Sequence, residues 1–378
     1  MPYPFAPCRG QCGRSVQQIP GRTGFCSICY AIQGKPTTAP ITSATVESDL
    51  QTARFKGEIG DLRAKYTKAL KKIDQLEQDL GLQQFLQEHT APFVIESATG
   101  GGSNEATPIL VASDWHMEQR VFARETNGLN EFNLDIASAR ANRFFTAGLR
   151  LIKLLNQDVQ IHTVVLGLLG DFITGQIHES MVEKNQLPPT QAIVFAQNHL
   201  ISGIELILNN SPYKLLVVCK MGNHSRNTDK SRIGVENGHS YEFLMYLSLK
   251  HYFKGQEDRV EFIVDDSFHT YVDIYNETYR FNHGHTIKFQ GGVGGLFIPA
   301  YKKIAKWDQA KSATRTIVGH HHTYLDGGNF HCNGSLIGFD ERAAGEGFSY
   351  EPPIQTLLLV DKKRGQTCKW PIYVGEGQ

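Results

Sequence analysis

Not one aspartate or glutamate occurs among the first 44 residues, although the 378-residue chain balances 38 Lys and Arg against 38 Asp and Glu. Zero formal charge excludes a partner chosen by bulk charge, but Arg9, Arg14, Arg22 and Lys35 leave the opening segment locally basic. Nowhere does the chain approach the roughly 18 uninterrupted apolar residues of a membrane span, and the start, MPYPFAPCRG, lacks the apolar core of a secretion signal. A soluble, cytoplasmic protein without a membrane partner is the expectation. Cysteine is scarce, at seven residues. Cys219, Cys332 and Cys368 stand alone in core-like segments and read as buried free thiols. No internal repeat is apparent, and the length allows two or three domains.

The other four cysteines are clustered. Cys8-x3-Cys12 and Cys26-x2-Cys29 bracket a short loop containing Gly13, Pro20, Gly21 and Gly24. Two close pairs joined by a tight turn match a tetrahedral four-thiolate zinc site, and so small a segment needs a metal to fold. Two disulfides are the competing reading, disfavoured by the missing secretion signal. A basic zinc module of this kind contacts nucleic acid or protein, and its charge leans towards nucleic acid.

Past a Thr/Pro/Ser-rich stretch, Ile59, Leu62, Tyr66, Ala69, Ile73, Leu76 and Leu80 alternate spacings of three and four, an a/d ladder of about three heptads. It predicts a coiled-coil helix that makes the protein a homo-oligomer. An amphipathic helix packed on its own domain is the alternative, and Gly57 and Gly60 weaken the start. Ala98-Thr-Gly-Gly-Gly-Ser-Asn104 is linker-like. The expected organisation is therefore a zinc module over 1–34, a coiled-coil helix over 45–90, a flexible linker over 91–107 and a large domain over 108–378.

In that domain, short apolar runs alternate with amphipathic ones. Strands are predicted at Ile109–Ala112, Thr163–Leu169, Leu215–Val218, Val260–Val264, Thr270–Tyr275, Tyr279–Asn282, Arg315–Val318 and Gln355–Val360. Helices are predicted over Asn133–Asn156, from Pro189 to about Leu208, and around Lys302–Trp307. The pattern is α/β, with a strand-rich second half forming a second sheet packed on the first.

Polar residues suited to metal ligation follow these apolar runs. They are Asp114 and His116, then Asp171, Asn223 with His224, His283 with His285, and His320 with His321 and His322. In an extended chain alternate side chains share a face, so His320 and His322 point together and His321 points away. Ligands of α/β sheets gather beyond the carboxyl ends of strands, where all of these should converge. A mixed Asp/His/Asn shell suits manganese, iron, nickel or zinc. Arg226, Lys230 and Arg232 follow Asn223-His224, either as phosphate contacts or as a solvated loop. His178 is open to the same two readings, and Gly291–Gly295 is either a mobile flap or a hinge.

Asp114-x-His116, Gly170-Asp171, Gly222-Asn223-His224, His283 and Gly319-His320-x-His322 together resemble the pattern of the calcineurin-like metallophosphoesterases, over about Pro108 to Gly338. The resemblance implies two packed β-sheets flanked by helices and hydrolysis of phosphomonoesters or phosphodiesters by two divalent metal ions, manganese first. It implies one metal on Asp114, His116 and His322, a second on Asn223, His283 and His320, and Asp171 bridging both. His283 is preferred to His285 because the family ligand is the first histidine of such a pair. His224 would protonate the leaving oxygen or stabilise the phosphoryl charge. Such metals, about 3.5–4 Å apart, activate a bridging water, as hydroxide, for in-line attack. Arg226 and Arg232 are the expected substrate contacts.

Ser113-Asp114-Trp115-His116 is loosely similar to the start of the double-strand-break repair exonucleases of that superfamily, but only about forty residues follow Gly338, too few for their accessory domain. A nuclease acting on DNA or RNA is the leading expectation. The alternative is a phosphatase or phosphodiesterase for a small nucleotide or phosphoprotein, with the N-terminal region as a protein scaffold.

Overall fold

The computed structural model describes residues 5–7, 15–17, 57, 60–68, 71–72, 93–98, 104–177, 179–232, 234–289 and 295–375. The chain divides into two compact units, 1–83 and 84–378. In the first, β1 (Phe5–Pro7) and β2 (Ser15–Gln17) form an antiparallel pair, Phe5 opposite Gln17. Residues 60–68 are helical, and Leu62 and Tyr66 of the heptad ladder are exposed. Cys8, Cys12, Cys26 and Cys29, the proposed zinc ligands, lie outside the described residues, as does His178.

The second unit is an α/β sandwich of two mixed six-stranded sheets flanked by helices. Its elements in chain order begin with β3 (Phe93–Ile95), β4 (Ala106–Ala112), α1 (Leu134–Leu155), β5 (Thr163–Leu168), α2 (Glu179–Lys184), α3 (Pro189–Asn210), β6 (Lys214–Cys219) and α4 (Tyr241–Tyr252). After these come β7 (Val260–Val264), β8 (Thr270–Ile274), β9 (Glu277–Phe281), α5 (Phe297–Ala310), β10 (Arg315–Val318), β11 (Leu325–Asp326) and β12 (Phe330–Cys332). The chain closes with α6 (Glu341–Glu346), β13 (Ile354–Asp361) and β14 (Gly365–Tyr373). One sheet runs β14-β13-β4-β5-β6-β7, parallel from β4 to β7, and the other runs β11-β12-β10-β9-β8-β3.

The first sheet is covered on both sides, which is why its strands read as unbroken apolar runs. Ile109, Val111 and Val165 pack towards Tyr279, Phe281 and Ile317 of the second sheet. The alternate residues Leu110, Ala112, Val164 and Leu166 meet Phe144, Phe145, Leu200 and Ile204 of the helices. Helix α1 begins at Asn133, whose side chain accepts a hydrogen bond from the Ile136 amide. Beyond the second sheet, Ala300 and Ile304 of α5 pack on Val318 and Phe330.

Seven elements of the second unit are not among those expected from sequence, namely β3, α2, α4, β11, β12, α6 and β14, and three of them are instructive. Phe93–Ile95, inside the expected 91–107 linker, extends the second sheet in parallel register with β8. Strand β14 carries Lys369 and Pro371 and no clean alternation, and it escapes a periodicity reading because it is an edge strand, where proline is tolerated. Helix α4 is apolar and aromatic on most sides, which blurs its period. Of the three isolated cysteines, Cys219 and Cys332 are buried free thiols, whereas Cys368 on β14 is only half-buried.

Candidate metal centre

The candidate residues arrive from both sheets. Asp114 and His116 follow β4, Asp171 follows β5, and Asn223 with His224 follow β6, all at carboxyl ends of the first sheet. His283 follows β9, and His320 with His322 follow β10, at the matching end of the second. Backbone bonds continue past the strand ends. The Asp114 amide donates to the Gly170 carbonyl at 2.9 Å and the His116 amide to the Asp171 carbonyl at 3.1 Å. Asp114, His116, Asp171, His320 and His322 all have positive φ, between 48° and 70°. Only Asn127 and Tyr275 share this among the other described non-glycine residues, so left-handed backbone strain is concentrated here. Gly222 is required for close approach, because a Cβ there would overlap the Asp171 carboxylate.

Two clusters result, joined by a third set of ligand-type residues, His116, Asp171 and His224, that shares a member with each. Ligand atoms of Asp114, His116 and His322 lie within 4.8 Å of one another, and so do those of Asp171, His283 and His320. His116 Nε2 stands 3.2 Å from His322 Nε2, and His322 Nε2 stands 3.6 Å from Asp114 Oδ1. In the second cluster, His283 Nε2 is 2.9 Å from Asp171 Oδ2 and 3.1 Å from Asn223 Oδ1. His283 Nδ1 lies 2.6 Å from the Leu169 carbonyl and so carries its hydrogen. The Nε2 lone pair then faces two oxygen acceptors, an arrangement that needs a proton or a cation among them. Spacings of about 3 Å match the edges of a shell whose metal–ligand bonds are about 2.1 Å. These buried His/Asp clusters are consistent with a dinuclear metal site.

Burial sets the protonation. It pushes His116, His224 and His320 below the usual imidazole range, leaving them as neutral rings, the form that ligates metals. Burial opposes charge on His283 too, but the Asp171 carboxylate outweighs it and holds that ring up at about 10. Burial raises Asp114, against the pull of His322, while for Asp171 the charge of His283 overcomes burial and keeps the carboxyl well below its ordinary value.

His224 lies beside both clusters. Its amide donates to Asp171 Oδ1 at 2.8 Å, its Nδ1 bonds the Thr174 carbonyl at 2.9 Å, and its ring stands 4.8 Å from that of His116. His321 belongs to neither cluster, and burial pushes its ring down to about 3. His285 is also outside them, with Nε2 3.3 Å from Glu236 Oε1. Arg226 donates through Nε and both Nη atoms to the carbonyls of Thr228, Asn223 and Asp229, so most of its donors brace its own loop. Arg232 is exposed.

Supporting residues that sequence reading missed are buried carboxylates and amides. Glu242 on α4 accepts from the Phe172 amide at 2.6 Å, the Gly222 amide at 2.7 Å and the Ser225 hydroxyl at 3.1 Å, tying the Asp171 loop to the Asn223 loop. Glu118 accepts from the amides of Thr174 and Gly175. Burial pushes each carboxyl up to about 7. Gln355 on β13 accepts from the Ser113 amide and the Trp115 indole. Glu242 had one faint signal, a carboxylate in the apolar run Tyr-Glu-Phe-Leu-Met-Tyr.

No family model matches the chain, and no curated protein matches it. Among solved structures it is similar to vacuolar protein sorting 29 from Cryptosporidium parvum, at 13% identity over 68% of this chain and 86% of that one, with a TM-score of 0.28. It is similar to Vps29 from Chaetomium thermophilum at 13% identity over 70% and 95%, with a TM-score of 0.26. The sulfate thiohydrolase SoxB from Thermus thermophilus, in complex with glycerol, matches at 8% identity over 74% and 58%, with a TM-score of 0.32. Likeness at these scores carries no chemistry, which rests on the clusters themselves.

Proposed function

We propose that this protein is a two-metal phosphoesterase of the calcineurin-like type, acting as a phosphodiesterase on DNA or RNA. The observation that supports it is the pair of buried clusters with the Asp171 carboxylate in the second and His224 against the first. Asp114, His116 and His322 would hold one divalent cation; Asn223, His283 and His320 would hold the other, with Asp171 shared. A bound pair, manganese or else iron, nickel or zinc, supplies charge for phosphoryl oxygens and activates water. Asn223 contributes an oxygen without adding negative charge against phosphate. His224, which donates from Nδ1 to the Thr174 carbonyl, presents the Nε2 lone pair, which would first take up a proton and then give it to the leaving oxygen.

The polymeric substrate is supported by the basic, acid-free N-terminal segment. In this reading the four cysteines hold a structural zinc, the exposed Leu62 and Tyr66 face a second copy of the chain in a coiled coil, and the protein works in the cytoplasm.

The test is manganese-dependent hydrolysis of bis- and mono-(p-nitrophenyl) phosphate beside single- and double-stranded DNA. The bis-ester and at least one DNA should be cleaved, and Asp171→Asn or His224→Ala should lower the rate by about 10²-fold or more with an unchanged circular dichroism spectrum. Cleavage of the monoester alone would overturn the nuclease reading.

A further inference from the structure

A chain of buried hydrogen bonds runs from the second sheet to the carboxylate of the first cluster. It starts at His331 on β12, whose Nε2 is 2.9 Å from Thr356 Oγ1 on β13. Thr356 Oγ1 donates to Asn333 Oδ1 at 2.7 Å, Asn333 Nδ2 donates to Ser113 Oγ at 2.9 Å, and Ser113 Oγ donates to Asp114 Oδ2 at 2.5 Å. None of the five residues is more than 2% exposed.

The direction of every hydrogen follows from the carboxylate outward. A carboxylate that ligates a cation has only lone pairs, so Ser113 gives it its one hydrogen. Ser113 Oγ then accepts, which turns the Asn333 NH2 towards it and the amide oxygen towards Thr356. Thr356 spends its hydrogen on that oxygen and accepts from His331. The His331 hydrogen therefore sits on Nε2, and Nδ1 is bare. Nδ1 makes no hydrogen bond among the described residues, and burial pushes the ring down to about 3, leaving it neutral with a single hydrogen. Bonds aligned head to tail in a dry interior polarise one another, which strengthens the last and charge-assisted one.

At Asp114 the chain decides which oxygen is free. The His320 amide lies 3.0 Å from Oδ1 and 2.9 Å from Oδ2 and is shared between them. Ser113 occupies Oδ2, and a Cβ on Gly319 would overlap both that oxygen and Ser113 Oγ, so backbone closes over the contact. Oδ1 is left on the side of His322, whose Nε2 is 3.6 Å away. Resting on the two-metal phosphoesterase reading, we infer that His331 is a positioning residue for the first metal site: through Thr356, Asn333 and Ser113 it holds Asp114 Oδ2 and leaves Oδ1 for the cation of His116 and His322.

Manganese titration of the full chain by calorimetry tests this. The unaltered chain should bind two ions. Ser113→Ala should weaken one of them by about 10- to 100-fold and leave the other within about twofold. His331→Phe, which keeps a buried ring, and Thr356→Val, which severs His331 from Asn333, should each weaken the same ion by about threefold or more. His331→Gln, which restores an N–H donor, should recover most of the His331→Phe loss. The effect of Ser113→Ala should vanish in His322→Ala, which has lost that site, and persist in Asn223→Ala. A merely structural role would lower the melting temperature and weaken both ions or neither. That result, or unchanged binding in both His331→Phe and Thr356→Val, overturns the inference. Bis-(p-nitrophenyl) phosphate hydrolysis on the same preparations tests the phosphoesterase reading separately. Selective loss of one ion without hydrolysis in the unaltered chain sinks that reading alone, and hydrolysis without the selective loss sinks the positioning role alone.

Discussion

His320, His321 and His322 are neighbours in the chain and differ in what they reach. His320 and His322 enter different clusters, while His321 enters neither. Alanine at His320 or His322 should therefore lower manganese-dependent kcat/KM by about 10²-fold or more, and alanine at His321 by less than about tenfold. Equal losses at all three, measured on the bis-ester with bound manganese quantified, would contradict the split. Glu242 acts through other residues. Its carboxylate accepts three hydrogen bonds from the Asp171 and Asn223 loops, and glutamine has one oxygen to offer instead of two. Glu242→Gln should cost about 10- to 100-fold in manganese affinity, as outer supporting partners do, and excess manganese should restore part of kcat. A merely structural role would instead lower the melting temperature and leave the metal titration unmoved.

Among the elements, helices α1 and α3 bury the outer face of the first sheet, and Gly203 of α3 lies directly against Phe145 of α1. A Cβ added there would overlap the Phe145 ring, which is buried and edge-on to Trp115 at 6.2 Å. Helix propensity favours alanine over glycine by about 1 kcal/mol, but overpacking a full core costs about 1–3 kcal/mol. Gly203→Ala should therefore be neutral to destabilising by up to about 2 kcal/mol in urea unfolding. A clear gain in stability would show that the two helices separate freely. Trp115 lies one residue from both Asp114 and His116, so this packing also sets where the first cluster stands.

On the scale of the whole molecule, the two sheets bring residues distant in sequence to one end of the sandwich. A cation pair there should also hold the sheets together. Removing it with a chelator should lower the melting temperature and readdition of manganese should restore it, because a ligand bound only by the native state stabilises that state. An unchanged melting temperature with manganese in large excess would argue against metal binding at these clusters. The N-terminal region is tested by deletion. Without residues 1–44 the protein should bind DNA more weakly and with a shallower salt dependence, while hydrolysis of the bis-ester continues. Unaltered DNA binding would assign the segment to a protein partner.

Much of this was legible in the chain itself. Strands buried on both sides announce themselves as apolar runs, and ligand-type residues sit immediately past their ends, so Asp114, His116, Asp171, Asn223, His283, His320 and His322 could be picked out without coordinates. Spacing set His321 apart from its neighbours by assuming an extended chain, whereas His320 and His322 have left-handed backbone, with φ of 70° and 50°, so alternation is not what separates them. Other features were decided only by tertiary structure. Glu118, Glu242 and Gln355 bond backbone amides of loops far away in sequence, and no local pattern marks them. Arg226 looked like a phosphate contact because charge is visible in sequence, whereas its bonds to three loop carbonyls are not. The choice of His283 over His285 rested on resemblance, and only the fold places the first beside Asp171 and turns the second towards Glu236. The reason is common to all of these: periodicity reports which face a residue takes, but a partner across the fold is chosen by packing.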